Sequence, residues 1–390
     1  MDQIISNLKN NFLFQMSLSS KELFHSNMLA WLIEQKINND FLIAKIFIET
    51  ITEKKIAGNI ENIVVKREEL NIDLIIEYDV AGVRNYIFIE NKMKSIPKNE
   101  QLDEYNKKIQ GYVLNKKRKI KTIVHNDLLY KKLLIPNEVF IDAKWEVITY
   151  KNHVINALKK IQQKLNSNIE SNKELYWIIK KYNDFLVNIT SIFDFYLDKD
   201  FENKPYNFYS LDFKKIRDIR LHDMILKNVH ERISMILKNK FNSHDIEINS
   251  DFTRSTGISD VFIKLTKEFN MGLQLQGNTL KYFFSCHKKD NLSQKNITIC
   301  KQLVEKKLWF YDNSTNPIAL LSGNGRNKSE LKINETTTFC GYDNGHFIYL
   351  TKSVSHYKDK TIKSLIEFIV NEINDAIKKK EVILKLINQK

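Results

Sequence analysis

The chain has 390 residues, 43% hydrophobic and 28% charged, which excludes a disordered chain and leaves room for two domain cores. Its 53 Lys and 8 Arg make up the 61 basic residues behind a formal charge of +14, which points to an acidic partner with nucleic acid first. Three scattered cysteines, Cys286, Cys300 and Cys340, exclude a disulfide framework and show no paired zinc-ligand spacing, so buried thiols in a reducing, cytoplasmic compartment are expected.

Residues 12–37 read as a helix, with Leu23, Leu29, Leu32 and Ile33 near helical spacing and Ser19 or Ser20 as caps ahead of Glu22. Phe41 to Ile51 is a second apolar helical stretch. The period then changes to two: Asn62 to Arg67, Ile72 to Tyr78 and Tyr86 to Met93 read as strands. Glu100 to Leu114 returns to helix, Ile120 to His125 and Trp145 to Tyr150 read as strands, and helices follow over 152–165 and 173–193. This order implies a three-layer α/β domain around a mixed sheet over residues 1–198. The polar, Pro205-containing stretch 199–210 reads as a linker. Beyond it, residues 211–390 read as an α+β domain: a basic amphipathic helix over 211–241, strands near 246–249, 260–264, 271–276, 280–285 and 347–351, and a closing helix over 361–388. No signal pattern precedes Asn11, and no apolar run approaches the ~18 residues of a membrane helix.

One segment carries chemistry. Two strands flank Ala81-Gly82, so a hairpin is expected whose paired residue numbers sum to 163. Glu77 then faces Tyr86, Ile75 faces Phe88 and Asp73 faces Glu90, while Lys92 shares the face of Glu90. Opposed carboxylates repel, and a divalent cation with a taste for hard oxygen ligands, Mg²⁺ or Mn²⁺, would remove that cost. A salt bridge of Lys92 with either acid is the bland alternative. Downstream, Gln101 and Tyr105 stand at i, i+4 on one helical face.

Acid, hairpin, Glu90-Asn91-Lys92, then Gln101-X-X-X-Tyr105 in that order resembles the PD-(D/E)XK nuclease superfamily, with the Gln-X-X-X-Tyr signature of its RecB-like members. The run from Ser20 to Leu32 is similar to the opening helix of its bacterial branch. Ile72 stands where the pattern has proline. The resemblance implies a restriction-endonuclease-like mixed sheet flanked by helices, over roughly residues 15–195. It implies Asp73 and Glu90 as metal ligands, the Asn91 backbone carbonyl as a further oxygen ligand, and Glu22 reaching the site from the first helix. It also implies Lys92 as the water-orienting residue, Gln101 and Tyr105 beside the substrate phosphate, and His25 as a site residue, with a core-packing His25 as the other reading. Hydrolysis of DNA in prokaryotic phage defence, restriction or repair follows as the implied activity. An RNA nuclease or an inactive binding module are the alternatives. A homodimer and a defence-system partner are expected companions, and no membrane.

Other features take plainer readings. Glu68 and Glu69 read as a solvated turn, Lys116 to Lys121 as a solvated basic face, and Phe201, Tyr206, Phe208, Tyr209 and Phe213 as packing between the two domains rather than as base-stacking rings. Ser322 to Arg326 is not a phosphate-binding loop. Asp260 followed by Gln274-Leu-Gln276 echoes an acid-then-strand layout without Glu-X-Lys and reads as structural. Residues 1–200 carry +4 and 201–390 carry +10. Drift toward Lys, Asn and Ile would raise the charge as well as function would, but the excess makes the second half the expected grip on a nucleic-acid backbone.

Overall fold

In the computed structural model the two period-two runs around Ala81-Gly82 fold back on each other as a hairpin, and a five-stranded sheet grows outward from it. The structure describes residues 1–17, 22–93, 99–119, 129–136, 145–166, 170–208, 210–241, 243–253, 256–277, 279–286, 293–310, 331–332, 338–342, 347–353 and 361–388. The chain falls into two units, Met1–Asp198 with Lys215–Ile225, and Lys199–Lys214 with Leu226–Lys390.

The first unit opens with α1 (Asp2–Lys9), α2 (Phe12–Met16), α3 (Glu22–Ile33) and α4 (Leu42–Thr52). Strands β1 (Asn62–Arg67), β2 (Leu74–Val80) and β3 (Val83–Asn91) follow, then α5 (Asn99–Lys119), β4 (Leu129–Ile135), β5 (Glu146–Thr149), a π-turn over Tyr150–Val154, α6 (Ile155–Asn166) and α7 (Lys173–Leu197). Sheet order is β1-β2-β3-β4-β5, antiparallel up to β3 and parallel beyond it. Parallel neighbours need a crossover, and α5 supplies it between β3 and β4.

The hairpin turn sets the register. Ala81 and Gly82 both take positive φ, 50° and 73°, as a two-residue type I′ turn requires. Glycine adopts that conformation without steric cost; Ala81 does so at roughly 1 kcal/mol. Leu74 then faces Ile89, Ile75 faces Phe88 and Glu77 faces Tyr86, the pairing that a turn at Ala81-Gly82 dictates. On one sheet face Ile75, Tyr86 and Phe88 pack under Leu102, Tyr105 and Ile109 of α5. Leu74, Ile76, Ile87 and Ile89 point to the other face and are wholly buried.

Several expectations change. The stretch 12–37 holds two helices because the Asn11 side chain caps α2, accepting from the Leu13 and Phe14 amides at 3.1 and 3.3 Å; Ser19 and Ser20 lie outside the described residues. The strand expected over 120–125 also lies outside them, and the strand beside β3 is instead Leu129–Ile135. The basic helix expected over 211–241 is two, α8 (Leu211–Asp218) and α9 (His222–Lys240). Arg220 turns left-handed at φ 59°, and the Leu221 amide reaches back to the Ile216 carbonyl at 3.1 Å, a helix-ending arrangement that apolar spacing does not reveal.

The second unit carries seven antiparallel strands in the order β10-β11-β12-β9-β8-β7-β6. They are β6 (Ile246–Thr253), β7 (Thr256–Lys264), β8 (Phe269–Gln276), β9 (Thr279–Cys286), β10 (Leu331–Lys332), β11 (Thr338–Tyr342) and β12 (Phe347–Ser353), with α10 (Ser293–Glu305) between β9 and β10. The closing helix is also split, into α11 (Ile362–Lys378) and α12 (Lys380–Asn388). Helix α9 lies so close to β7 that a Cβ at Gly257 would stand 2.3 Å from the His230 ring. Phe201, Tyr206, Phe208 and Phe213 are buried inside this unit; Tyr209 and the Ser322–Arg326 loop lie outside the described residues. Cys286 and Cys300 are free and buried. Among the described residues no helix is long and apolar enough to cross a membrane.

Candidate active site

The hairpin's open end brings Asp73, Glu90 and Lys92 together. Asp73 stands one residue before β2, opposite Glu90 by continuation of the register. Its Oδ2 accepts the Asn91 backbone N–H at 2.6 Å. Lys92 follows β3, yet its own amide still donates to the Leu134 carbonyl at 2.8 Å, which keeps the strand's alternation for one more step. Its ammonium therefore lands beside Glu90, with Nζ 2.7 Å from Oε1. From α5, Gln101 Nε2 donates to the Tyr105 hydroxyl at 2.7 Å and that hydroxyl donates to Glu90 Oε1 at 3.4 Å. Gln101 and Tyr105 thus reach the site as a relay to Glu90, and Tyr105 itself is buried. Glu22, first residue of α3, lies near enough for its charge to act on Lys92 and Tyr150.

The electrostatics show a site short of positive charge. Burial raises the Asp73 pKa, and the Glu90 carboxylate raises it further. Burial also raises that of Glu90 against the pull of Lys92. Burial depresses Lys92, but its pair with Glu90 more than reverses this and the net shift is upward, so Lys92 stays an ammonium. Three carboxylates, Glu22, Asp73 and Glu90, against one lysine leave a formal −2. Glu90 Oε2 is buried with no hydrogen-bond partner. Among the described residues no three His, Cys, Asp or Glu side chains form a ready cation cage. Two carboxylates with a backbone carbonyl suit a hard cation that keeps much of its water, as Mg²⁺ does with one or two protein carboxylates. Asp73 and Glu90, with the Asn91 carbonyl, are the residues that could hold it.

His25 stands among core side chains. An i, i+3 step from Glu22 is offset by about 60° around the helix, and His25 turns into the core. It is wholly buried, its Nδ1 is 3.1 Å from the Tyr182 hydroxyl, and its ring packs among Phe24, Tyr150, Tyr182 and Phe185. Burial lowers its pKa to about 3, so the ring is neutral. Glu69 pairs with Lys66 at 3.2 Å, and Glu68 donates its amide to the Asp73 carbonyl at 3.4 Å while its charge acts on the Asp73 carboxyl.

Two arrangements were not foreseen. The first is the Asn91 side chain, on the face opposite Glu90 by strand alternation. Its Nδ2 donates to the Glu22 carbonyl and to Ser26 Oγ, both at 3.1 Å, and its Oδ1 accepts from the Tyr150 hydroxyl at 2.9 Å. One wholly buried amide thereby ties β3 to α3 and to the π-turn. A polar residue between Glu90 and Lys92, following Ile87 and Ile89 on the same face, was the signal. The second is Glu77, 2% exposed, which accepts from the Tyr112 hydroxyl and pairs with Lys66 at 3.2 Å, Arg84 at 3.0 Å and Lys116 at 3.5 Å. Burial alone would raise the Glu77 pKa, but the Tyr112 and Lys66 bonds lower it overall. Lys116 therefore has a buried partner that its place in a basic run did not announce.

A family model described as the PD-(D/E)XK nuclease superfamily matches residues 10–184, a span that contains Glu22, Asp73, Glu90, Lys92, Gln101 and Tyr105. Comparison with curated proteins and with solved structures finds no significant match.

Proposed function

Residues 10–184 belonging to the PD-(D/E)XK nuclease superfamily, we propose that the chain is a nuclease that hydrolyses DNA with Mg²⁺ or Mn²⁺, in phage defence, restriction or repair. Superfamily members are generally nucleases and typically use divalent metals. The observation that carries the reading is the meeting of partly buried Asp73 with buried Glu90, two like charges that act on each other, with Lys92 paired to Glu90. A fold kept only for binding has no use for that repulsion.

The reaction adds water across a P–O bond and yields a phosphate monoester and an alcohol. Lys92 donates hydrogen bonds to the attacking water and to the oxygen on which charge builds. Gln101 and Tyr105 hold the Glu90 carboxylate in one orientation through the hydrogen-bond relay. Asp73 is held by the Asn91 amide, and Glu22 adds negative charge that keeps Lys92 protonated. A divalent cation bound by Asp73 and Glu90 would supply Lewis-acid neutralisation of the phosphate. The second half of the chain, with +10 of the net charge, serves as the substrate- or partner-binding module. A double-strand cut calls for two such sites, hence a homodimer.

The test is cleavage of plasmid, linear duplex, single-stranded DNA and RNA with and without Mg²⁺, comparing wild type with Lys92→Ala and Asp73→Ala. Wild type should cut DNA only with the cation, and each variant should lose about 10³-fold or more in rate. Equal activity in all three proteins would sink the assignment, and cleavage confined to RNA would replace the substrate.

A further inference from the structure

The first unit holds a second basic feature outside the carboxylate site. Helices α4 and α6 border a groove of about 910 Å³. Lys54 and Lys55 line it from the end of α4, and Lys160 and Lys164 line it from α6. Two acids share the lining, Glu49 and Glu53, so the formal balance is +2 with a neutral histidine. Glu49 is already engaged: one oxygen accepts the Ile56 amide at 2.9 Å and the other lies 3.7 Å from Lys55. His153, on the π-turn, accepts the Thr149 amide at Nδ1 over 3.0 Å. Its Nε2 is turned toward Glu53 at 3.7 Å. Asn156 and Gln163 add exposed amide donors. The wall is thus rich in donors and in lysine, as a phosphate-bearing ligand requires.

Next to it is a smaller cavity of about 310 Å³ that shares Lys54 and Lys55. Its wall is mixed, with Tyr78 and Tyr130 beside the aliphatic Ile56, Val80 and Val83, and Asn85 adding an amide. Lys54 Nζ lies 5.1 Å from the Tyr130 ring centre, so the same lysine touches both that ring and the basic groove. Phosphate donors beside an aromatic face are the two parts of a single-strand site: the groove tracks the backbone and the ring takes a base. A base meets a side-chain ring only when it has left the duplex, which favours a single strand over a paired one.

We propose that the α4–α6 groove with the adjoining Tyr130 cavity binds a single nucleic-acid strand, with phosphates on Lys54 and Lys160 and a base against Tyr130. The inference rests on the nuclease reading for its biological sense but not for its measurement. Binding is read in full-length Asp73→Ala protein, which cannot cut, using a fluorescent single-stranded oligonucleotide and anisotropy across a salt series. Adding Lys54→Glu with Lys160→Glu, both exposed residues, should weaken binding at least tenfold and flatten the salt slope by about 1.4, two contacts at roughly 0.7 each. The comparison protein carries Lys9→Glu with Lys173→Glu, an equal charge change at exposed sites elsewhere, and should keep most of its affinity. Tyr130→Leu should narrow the preference for single strand over duplex. Equal weakening by both lysine pairs would assign the effect to net charge and overturn the groove. So would unchanged binding in the groove variant, or displacement of the strand by millimolar inorganic phosphate, which would make the groove a free-anion site. Failure of the groove would leave cleavage by the otherwise wild-type groove variant intact, whereas failure of the nuclease reading would abolish cleavage and leave strand binding in place.

Discussion

Asp73 and Asp260 occupy comparable places in the two sheets. Each is largely buried, each faces another polar residue across a strand pair, and each has a lysine nearby. Opposite Asp73 stands a second carboxylate, Glu90, with Lys92 on it. Opposite Asp260 on β8 stands an amide, Gln274, which donates to Asp260 and whose oxygen accepts from Lys281 of β9 at 2.9 Å. The amide relays the lysine's charge to the aspartate without adding one of its own. In the first unit the second acid leaves an excess of negative charge that a proton or a bound cation would relieve. One position, carboxylate or amide, separates a like-charge pair from a hydrogen-bonded one.

The first way to break the contrast is at Asn91, which holds the acidic cluster in register. Asn91→Ala strips partners from the Tyr150 hydroxyl and Ser26 in a wholly buried setting. The Tyr150 hydroxyl loses its acceptor while Ser26 Oγ keeps the Glu22 carbonyl at 3.1 Å, and one buried group left unsatisfied costs on the order of 1–3 kcal/mol. Cleavage should fall about a hundredfold or more, and urea unfolding of the first unit should shift to match. Asn91→Asp keeps the acceptor for Tyr150 but loses the donor to Ser26, and should fall between. Full activity in Asn91→Ala would mean that α3 and β3 hold their spacing without this residue.

How much of this was legible beforehand follows from where the information sits. The hairpin register was, because a two-residue turn at Ala81-Gly82 and a period of two leave no freedom. The mixed sheet and its helical flanks followed from the order of periods. The convergence of Asp73, Glu90 and Lys92 followed from both. The break at Arg220 did not, since it is made by a left-handed backbone angle that no side-chain pattern encodes. His25 stayed open between the site and the core because a helical step of three tells the face only to within about 60°, and the large aromatic neighbours that pack on it, Tyr150, Tyr182 and Phe185, come from distant segments. The Glu77 cluster was hidden for the same reason: Lys66, Arg84, Tyr112 and Lys116 come from three elements.

A smaller change brings the two units closer. Gln274→Glu would place a carboxylate against Asp260 and recreate the like-charge pair of the first unit. The cost should be about 1–3 kcal/mol at pH 8, read by urea unfolding, and should vanish below about pH 5, where one proton is shared. Gln274→Met, which removes the hydrogen bond but adds no charge, separates repulsion from lost bonding. An unchanged midpoint at pH 8 would show that solvent reaches this face and screens it, and the parallel with Asp73 would lapse.

The smallest effect is the most diagnostic, since it is a matter of sign. Burial raises the Asp260 pKa from an ordinary 3.8 to about 6. Between those values the folded state binds more protons than the unfolded one, so this group's contribution to stability falls as pH rises and its penalty is complete above pH 6. Burial lowers His230 from 6.5 to about 3, so there the unfolded state binds more protons and stability rises with pH across that window. The two slopes oppose each other between roughly pH 4 and 6. Asp260→Asn removes one of them. The variant should gain about 1–3 kcal/mol over wild type at pH 8, gain nothing below pH 4, and climb more steeply with pH in between as the histidine slope stands alone. A constant difference from pH 4 to 8 would mean that Asp260 does not titrate in that range and that its burial carries no charge penalty, in which case the amide opposite it shields the aspartate more completely than the comparison with Asp73 allows.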